Sequence, residues 1–202
     1  MMIAGGKLSF AMLLGVGAVL LSGCLFSPRE PEPPGAGVQI DYLPQSKPAN
    51  VWANLEKSLE AIHSPGWEDN ISLDEFRYVP DDEAANQFPG IFDGWDRSRE
   101  VTFINNFYNS GVSITARMVQ AGFVFPPPVG NEMTIEDIIY DVLVINDSDA
   151  SEVRYRGKCD VIFRLEANKW YIYEWRDLQG ESDPDTGQLL NTMGVLRGTF
   201  GS

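Results

Sequence analysis

Trp170-Tyr171-Ile172-Tyr173-Glu174-Trp175-Arg176-Asp177 is a β-rich stretch dense in aromatic side chains, and it closes the last hairpin of the chain. Glu166-Ala167-Asn168 joins it to a strand over residues 152–165, and the polar turn at residues 146–151 joins that strand to another over residues 132–146. These three make an antiparallel meander. In the middle one Tyr155, Gly157, Cys159, Val161, Phe163 and Leu165 share a face, while Arg154, Arg156, Lys158, Asp160 and Arg164 take the other. One face therefore meets a core and the other meets water. The run from Ile138 to Ile145 is apolar on both faces apart from Asp141, so it asks for cover on its second side. Either the C-terminal segment or a second subunit, in a homodimer through the sheet face, can supply that cover.

Upstream the period changes. Val51, Trp52, Leu55, Leu59 and Ile62 recur at three and four and predict a helix over residues 48–63, with Pro48 in its first turn and Ser64-Pro65-Gly66 as its stop. A short helical segment is expected near residues 69–73, a short strand over 76–79 and an acidic loop over 81–87. Asp93 or Asp96 caps a second long helix that ends near Tyr108, with Val101, Ile104, Phe107 and Tyr108 on its apolar stripe. Residues 111–125 are β-rich, and Pro126-Pro127-Pro128 interrupts them. Residues 188–200 are apolar enough to dock as a last helix or strand.

Helices first, then a meander of long strands closed by the Trp170 to Asp177 strand, resemble the cone-shaped nuclear transport factor 2 and ketosteroid isomerase superfamily. The stretch Tyr42-Leu43-Pro44, the helix over residues 50–59, the helix start from Phe92-Asp93-Gly94-Trp95 to Glu100 and the terminal hairpin are similar to exported lipoproteins of this fold. The resemblance implies an α+β fold over residues 48–202, with two or three N-terminal helices packed in the concave face of a curved antiparallel sheet. It implies no single reaction, since such folds include isomerases, dehydratases, carriers and assembly modules. An isomerase of this kind sets a pocket carboxylate beside a Tyr or a protonated Asp. Tyr155 lies on the inward face, Asp177 and Tyr173 share parity on the last strand, and Glu100 lies one helical turn from Ile104. With Cys159, Phe163 and Trp175 they are the cavity candidates, and no residue is assigned a catalytic role. Gly157 and Cys159 are small, and they either leave room near Tyr155, Phe163 and Trp175 for a small hydrophobic ligand or accept close helix packing.

The N-terminus addresses location. Residues 1–23 carry one cation, Lys7, no acid, and an apolar run from Leu8 to Leu21 too short for a membrane span. Leu21-Ser22-Gly23-Cys24 resembles the lipobox of bacterial lipoproteins, which implies cleavage after Gly23 and acylation of Cys24 as a membrane anchor. Residues 24–47, rich in Pro, Gly and scattered charge, read as a tether. In enterobacterial lipoproteins an Asp after the lipidated cysteine retains the protein in the inner membrane, so the resemblance, with Leu25 at that place, implies the outer membrane facing the periplasm. Cleavage removes one cation and no acid, taking the net charge from −14 to −15, which argues against nucleic acid and against anionic lipid as partners. Lipidation of Cys24 leaves Cys159 without a disulfide partner, a buried inert thiol. The acidic turns at residues 147–151 and 183–187 lack the glycine and glutamate of a calcium loop, and no zinc or phosphate motif appears, so neither metal nor cofactor is expected. The expectation is a lipid-anchored, non-enzymatic binding or assembly module of the cell envelope. An isomerase or dehydratase, or a hydrophobic-ligand carrier using the cone, is the alternative.

Overall fold

A computed structural model describes residues 39–201. The expected signal peptide and cleavage site, Cys24 and most of the expected tether lie outside the described residues. The elements run α1 (Pro48–Glu60), α2 (Ser64–Glu68), β1 (Arg77–Val79), α3 (Asp82–Gln87), α4 (Arg97–Tyr108), β2 (Val112–Arg117), β3 (Glu132–Asn146), β4 (Glu152–Glu166), β5 (Lys169–Gly180) and α5 (Met193–Phe200). The strands form one sheet in the order β1-β5-β4-β3-β2, antiparallel except where β1 runs parallel to β5. The α+β cone expected from the sequence is what folds.

Alternation decides the core face of β4: Tyr155, Gly157, Cys159, Val161 and Phe163 are buried, and the charged residues between them are half-exposed. Curvature comes from three bulges, one on β3 between Ile135 and Ile138 and two on β5, where Tyr173 and Leu178 are the extra residues. Each bulge reverses the parity of the residues beyond it. α1 lays Val51, Trp52, Leu55 and Leu59 into the concave face, where the Trp52 and Trp175 rings meet tilted by 39° with centroids 4.9 Å apart. Its other side guards an edge strand: Glu60 accepts from Ala116 N of β2 at 3.4 Å and Glu56 from Met118 N just past its end at 2.7 Å, satisfying donors that the edge would otherwise present to solvent.

Several local expectations are corrected. Ser64-Pro65-Gly66 starts α2 instead of only stopping α1: His63 Nδ1 caps Gly66 N at 3.1 Å, Pro65 sits in the first turn, and the segment near 69–73 is not helical. The acidic loop is a helix, α3, capped by Asp81 Oδ1, which accepts from Glu83 N and Ala84 N. β2 ends at Arg117, and the rest of the β-rich run to Phe125 has no strand pairing. The second face of β3 is partly covered from within the chain: Ile139, Leu143 and Ile145 are half-buried, and Asp183 and Leu190 of the β5–α5 loop share a groove with Leu143. The tail folds as a helix, α5, capped by Thr192.

Residues 41–47, which the composition assigns to the tether, are pinned to the folded unit. Asn54 holds Leu43 through both backbone groups, at 2.8 and 2.9 Å, and Trp170 N donates to Gln45 O at 2.8 Å. Lys57 Nζ donates to Asp41 O at 2.6 Å, and Tyr42 Oη donates to His63 Nδ1 at 2.9 Å, because that nitrogen already accepts from Gly66 N.

Candidate functional site

The concave face holds a polar cluster sealed under α5. Glu100 comes from the first turn of α4 and is wholly buried. It accepts from Trp67 Nε1 at 3.1 Å and Trp95 Nε1 at 2.8 Å, and it takes a two-pronged contact from Arg197 of α5, Nε to Oε2 at 3.0 Å and Nη2 to Oε1 at 2.8 Å. The Arg197 guanidinium also lies 4.2 Å from the ring centroid of Tyr78 and 4.6 Å from that of Trp175. Burial opposes its charge, but Glu100 more than offsets this, and the Arg197 pKa is raised. Only its Nη1 lacks a partner.

Asp177 stands beside this pair. Its carboxylate accepts from Tyr78 Oη at 2.5 Å, Tyr140 Oη at 3.0 Å and Trp175 Nε1 at 2.8 Å. Burial raises its pKa from the ordinary carboxylate value, although the Arg197 charge and the Tyr78 and Trp175 donors pull it down. Both phenols are raised well above their ordinary value, first by burial and then by the Asp177 charge. Tyr140 Oη accepts in turn from Met193 N at 2.8 Å, the first residue of α5. Nearby, Asp81 Oδ2 accepts from Thr192 Oγ1 at 2.5 Å, so one carboxylate joins the N-termini of α3 and α5.

The arrangement is chemically capable of holding a proton at Asp177 between two phenols and of fastening α5 to the sheet. It leaves no space for a substrate while α5 is seated: Glu100, Arg197, Cys159 and Phe163 are each 0% exposed, so no water-sized sphere touches them. The room expected over Gly157 is occupied by the Tyr140 ring, since a Cβ on Gly157 would lie 2.8 Å from Tyr140 Cζ. Among the described residues the open grooves lie at the surface, and one of about 440 Å³ reaches the outer sides of Tyr78 and Trp95 without exposing Glu100, Asp177 or Arg197. The most spacious, about 810 Å³, opens beside β2 between Glu56, Glu60, Arg117, Asp141, Arg154 and Asp183. There Arg154 and Arg156 hold the Asp141 carboxyl below its ordinary value against the opposing effect of burial. No cluster of metal-ligating side chains is present among the described residues.

Of the sequence candidates, Glu100, Trp175 and Asp177 converge, with Cys159 opposite Asp177 in the strand register and its thiol pushed up by burial. Phe163 packs on Trp52 and Phe125 outside the polar cluster, and Tyr155 is a core aromatic whose backbone pairs with Asn191. Tyr173 is the one that moves: the bulge at its own position turns it off the Asp177 face, and its ring lies 3.4 Å under the Arg164 guanidinium. Sequence reasoning missed Arg197, Tyr78 and Tyr140. The signal for Arg197 was its place on the apolar stripe of Met193, Leu196 and Phe200, where a cation needs a buried partner.

No family model matches the chain, and no curated protein does. Solved structures do. A candidate aromatic ring hydroxylase from Novosphingobium aromaticivorans superposes with a TM-score of 0.51 at 10% identity, over 73% of this chain and 92% of its own. A nuclear transport factor 2-like protein of unknown function from Pseudomonas putida gives 0.46 at 10% identity, over 71% and 90%. A nuclear transport factor 2-like superfamily protein from Salmonella enterica serovar Typhimurium gives 0.45 at 12% identity, over 70% and 99%. The fold is the α+β cone expected from the sequence, and the first of these structures shares it with a TM-score of 0.51. At such identities the likeness is one of fold alone.

Proposed function

We propose that this chain is an exported lipoprotein, anchored through Cys24 to the outer membrane, whose folded unit is a non-enzymatic binding or assembly module of the cell envelope. The observation that carries the module reading is the closed cone. Its buried carboxylates, phenols and indoles are engaged with one another and with the backbone of α5, so the groups an enzyme would offer a substrate are used to hold the C-terminus in place. The pinned segment at residues 41–47 supports the anchor reading: a pull from the N-terminal side is delivered to α1 and the start of β5, two parts of the core.

One feature favours the alternative. A carboxyl with a raised pKa between two phenols is acid–base equipment, and it would face a cavity if α5 withdrew. Native mass spectrometry of the full chain, released from its own membranes in mild detergent, separates the readings. The module predicts an intact mass that begins at Cys24 and carries acyl chains, with no retained small molecule. A retained hydrophobic metabolite overturns the module in favour of a carrier or enzyme, and an unacylated Cys24 overturns the anchor.

A further inference from the structure

We propose that residues 123–129, Phe-Val-Phe-Pro-Pro-Pro-Val, are the docking element of this module: a preformed polyproline rod that fits an aromatic-lined groove on a protein partner. The inference rests on the binding-module reading and supplies its surface. Each of Phe125, Pro126 and Pro127 precedes a proline, which excludes helical backbone, and each proline fixes its own φ near −65°. The stretch is therefore held extended by covalent structure. Residues 124–130 make no backbone hydrogen bond to the rest of the described domain, as a polyproline helix requires. Gly122 and Gly130, with φ of 83° and 75°, sit in the left-handed region at its two ends, where the chain turns out of and back into the fold.

Such a helix has three residues per turn and so presents three ridges. Phe125 turns inward, edge-on to Phe123 at 5.1 Å and to Phe163 of the core at 6.3 Å. Phe123 and Phe125 thus fasten the start of the segment to the domain, while Val124 and the run from Pro126 to Val129 are exposed, Val124 and Val129 at 81% and 82%. Between Arg117 and Glu132 no residue is charged, in a chain of net charge −14. Exposed proline rings flanked by valines, with free carbonyls, are what aromatic-lined grooves read: rings pack on the prolines, and indole or phenol donors meet the carbonyls. A bilayer is the poorer fit. The tip carries no Trp, Tyr, Lys or Arg for the interface, and the acidic molecule is repelled by anionic lipid.

The test has two arms on the full-length chain. In cells, a photo-reactive phenylalanine analogue replaces Val124 or Val129, with exposed Leu73 as control. In solution, an isolated EVH1 domain, whose groove reads proline-rich segments, is titrated as a probe. The expected result is one discrete protein adduct from positions 124 and 129, absent from 73, together with saturable probe binding. Pro127→Ala weakens both by about fivefold or more through lost preorganisation, at unchanged melting temperature. Adducts to lipid, or to a second copy of the chain, overturn the proposal. So does the lack of any probe binding or any effect of Pro127→Ala. If discrete adducts form only at Leu73, the rod is wrong and the module stands; if no position yields a protein adduct, the module reading falls too.

Discussion

Arg197 and Glu100 show how one residue pair organises this interior. Both are fully buried, and two charges removed from water this completely are tolerated only because each is the other's main partner and two indoles complete the acceptor. Arg197→Met strands the Glu100 charge and is expected to lower unfolding free energy by about 3–5 kcal/mol. Glu100→Gln added to Arg197→Met should recover a good part of that loss, and a denaturant double-mutant cycle reads the coupling directly. Asp177 makes a separate prediction. Its folded-state pKa lies above its unfolded value because burial disfavours the charge, so the stabilisation tied to its proton is fully present below the unfolded value and is lost as pH rises through the folded one. Asp177→Asn removes this dependence while keeping an acceptor for Trp175 and Tyr140. In urea melts from pH 4 to 8, the stability of the wild type relative to Asp177→Asn should fall with rising pH. A difference that is flat or grows with pH contradicts the assignment.

At the scale of elements, α5 owes its seat to missing side chains. A Cβ on Gly194 would lie 2.7 Å from Asp81 Oδ2 and 2.8 Å from both Ala84 Cβ and Tyr78 Oη, so Gly194→Ala must push α5 off α3. The expected cost is about 1–3 kcal/mol, read as a lowered melting temperature, with faster amide exchange confined first to α5. The middle of the segment at residues 41–47 is held by one amide, and Asn54→Ala should loosen it, costing about 1–3 kcal/mol as the Leu43 groups lose their partners and raising proteolysis around Leu43. The long elements α1, α4, β3, β4 and β5 were legible because each carries several turns or pleats of its own period. α2 and α3 were not, since helices of one or two turns hold too little pattern and exist through His63, Asp81 and the surfaces they cover. The parity of Tyr173 failed for a related reason: a bulge is set by the curvature the whole sheet must adopt.

The molecule as a whole is closed around its one described thiol. Cys159 is fully buried and burial raises its pKa, so a thiol reagent should leave it unlabelled in the native protein, and labelling should track the unfolding transition in guanidinium. Labelling in native buffer at the rate of an exposed thiol would show that α5 opens without global unfolding. By itself the sequence determined the α+β class, the faces of the long strands and the acidity, because periodicity and composition are local properties of a chain. It also put Glu100, Trp175 and Asp177 among the cavity candidates. Only the tertiary structure decided that these three meet under a C-terminal helix, that Arg197 joins them, and that Tyr140 fills the space over Gly157. Those contacts join residues as far apart as Glu100 and Arg197, and their energies depend on desolvation that exists only once every layer of the cone has closed.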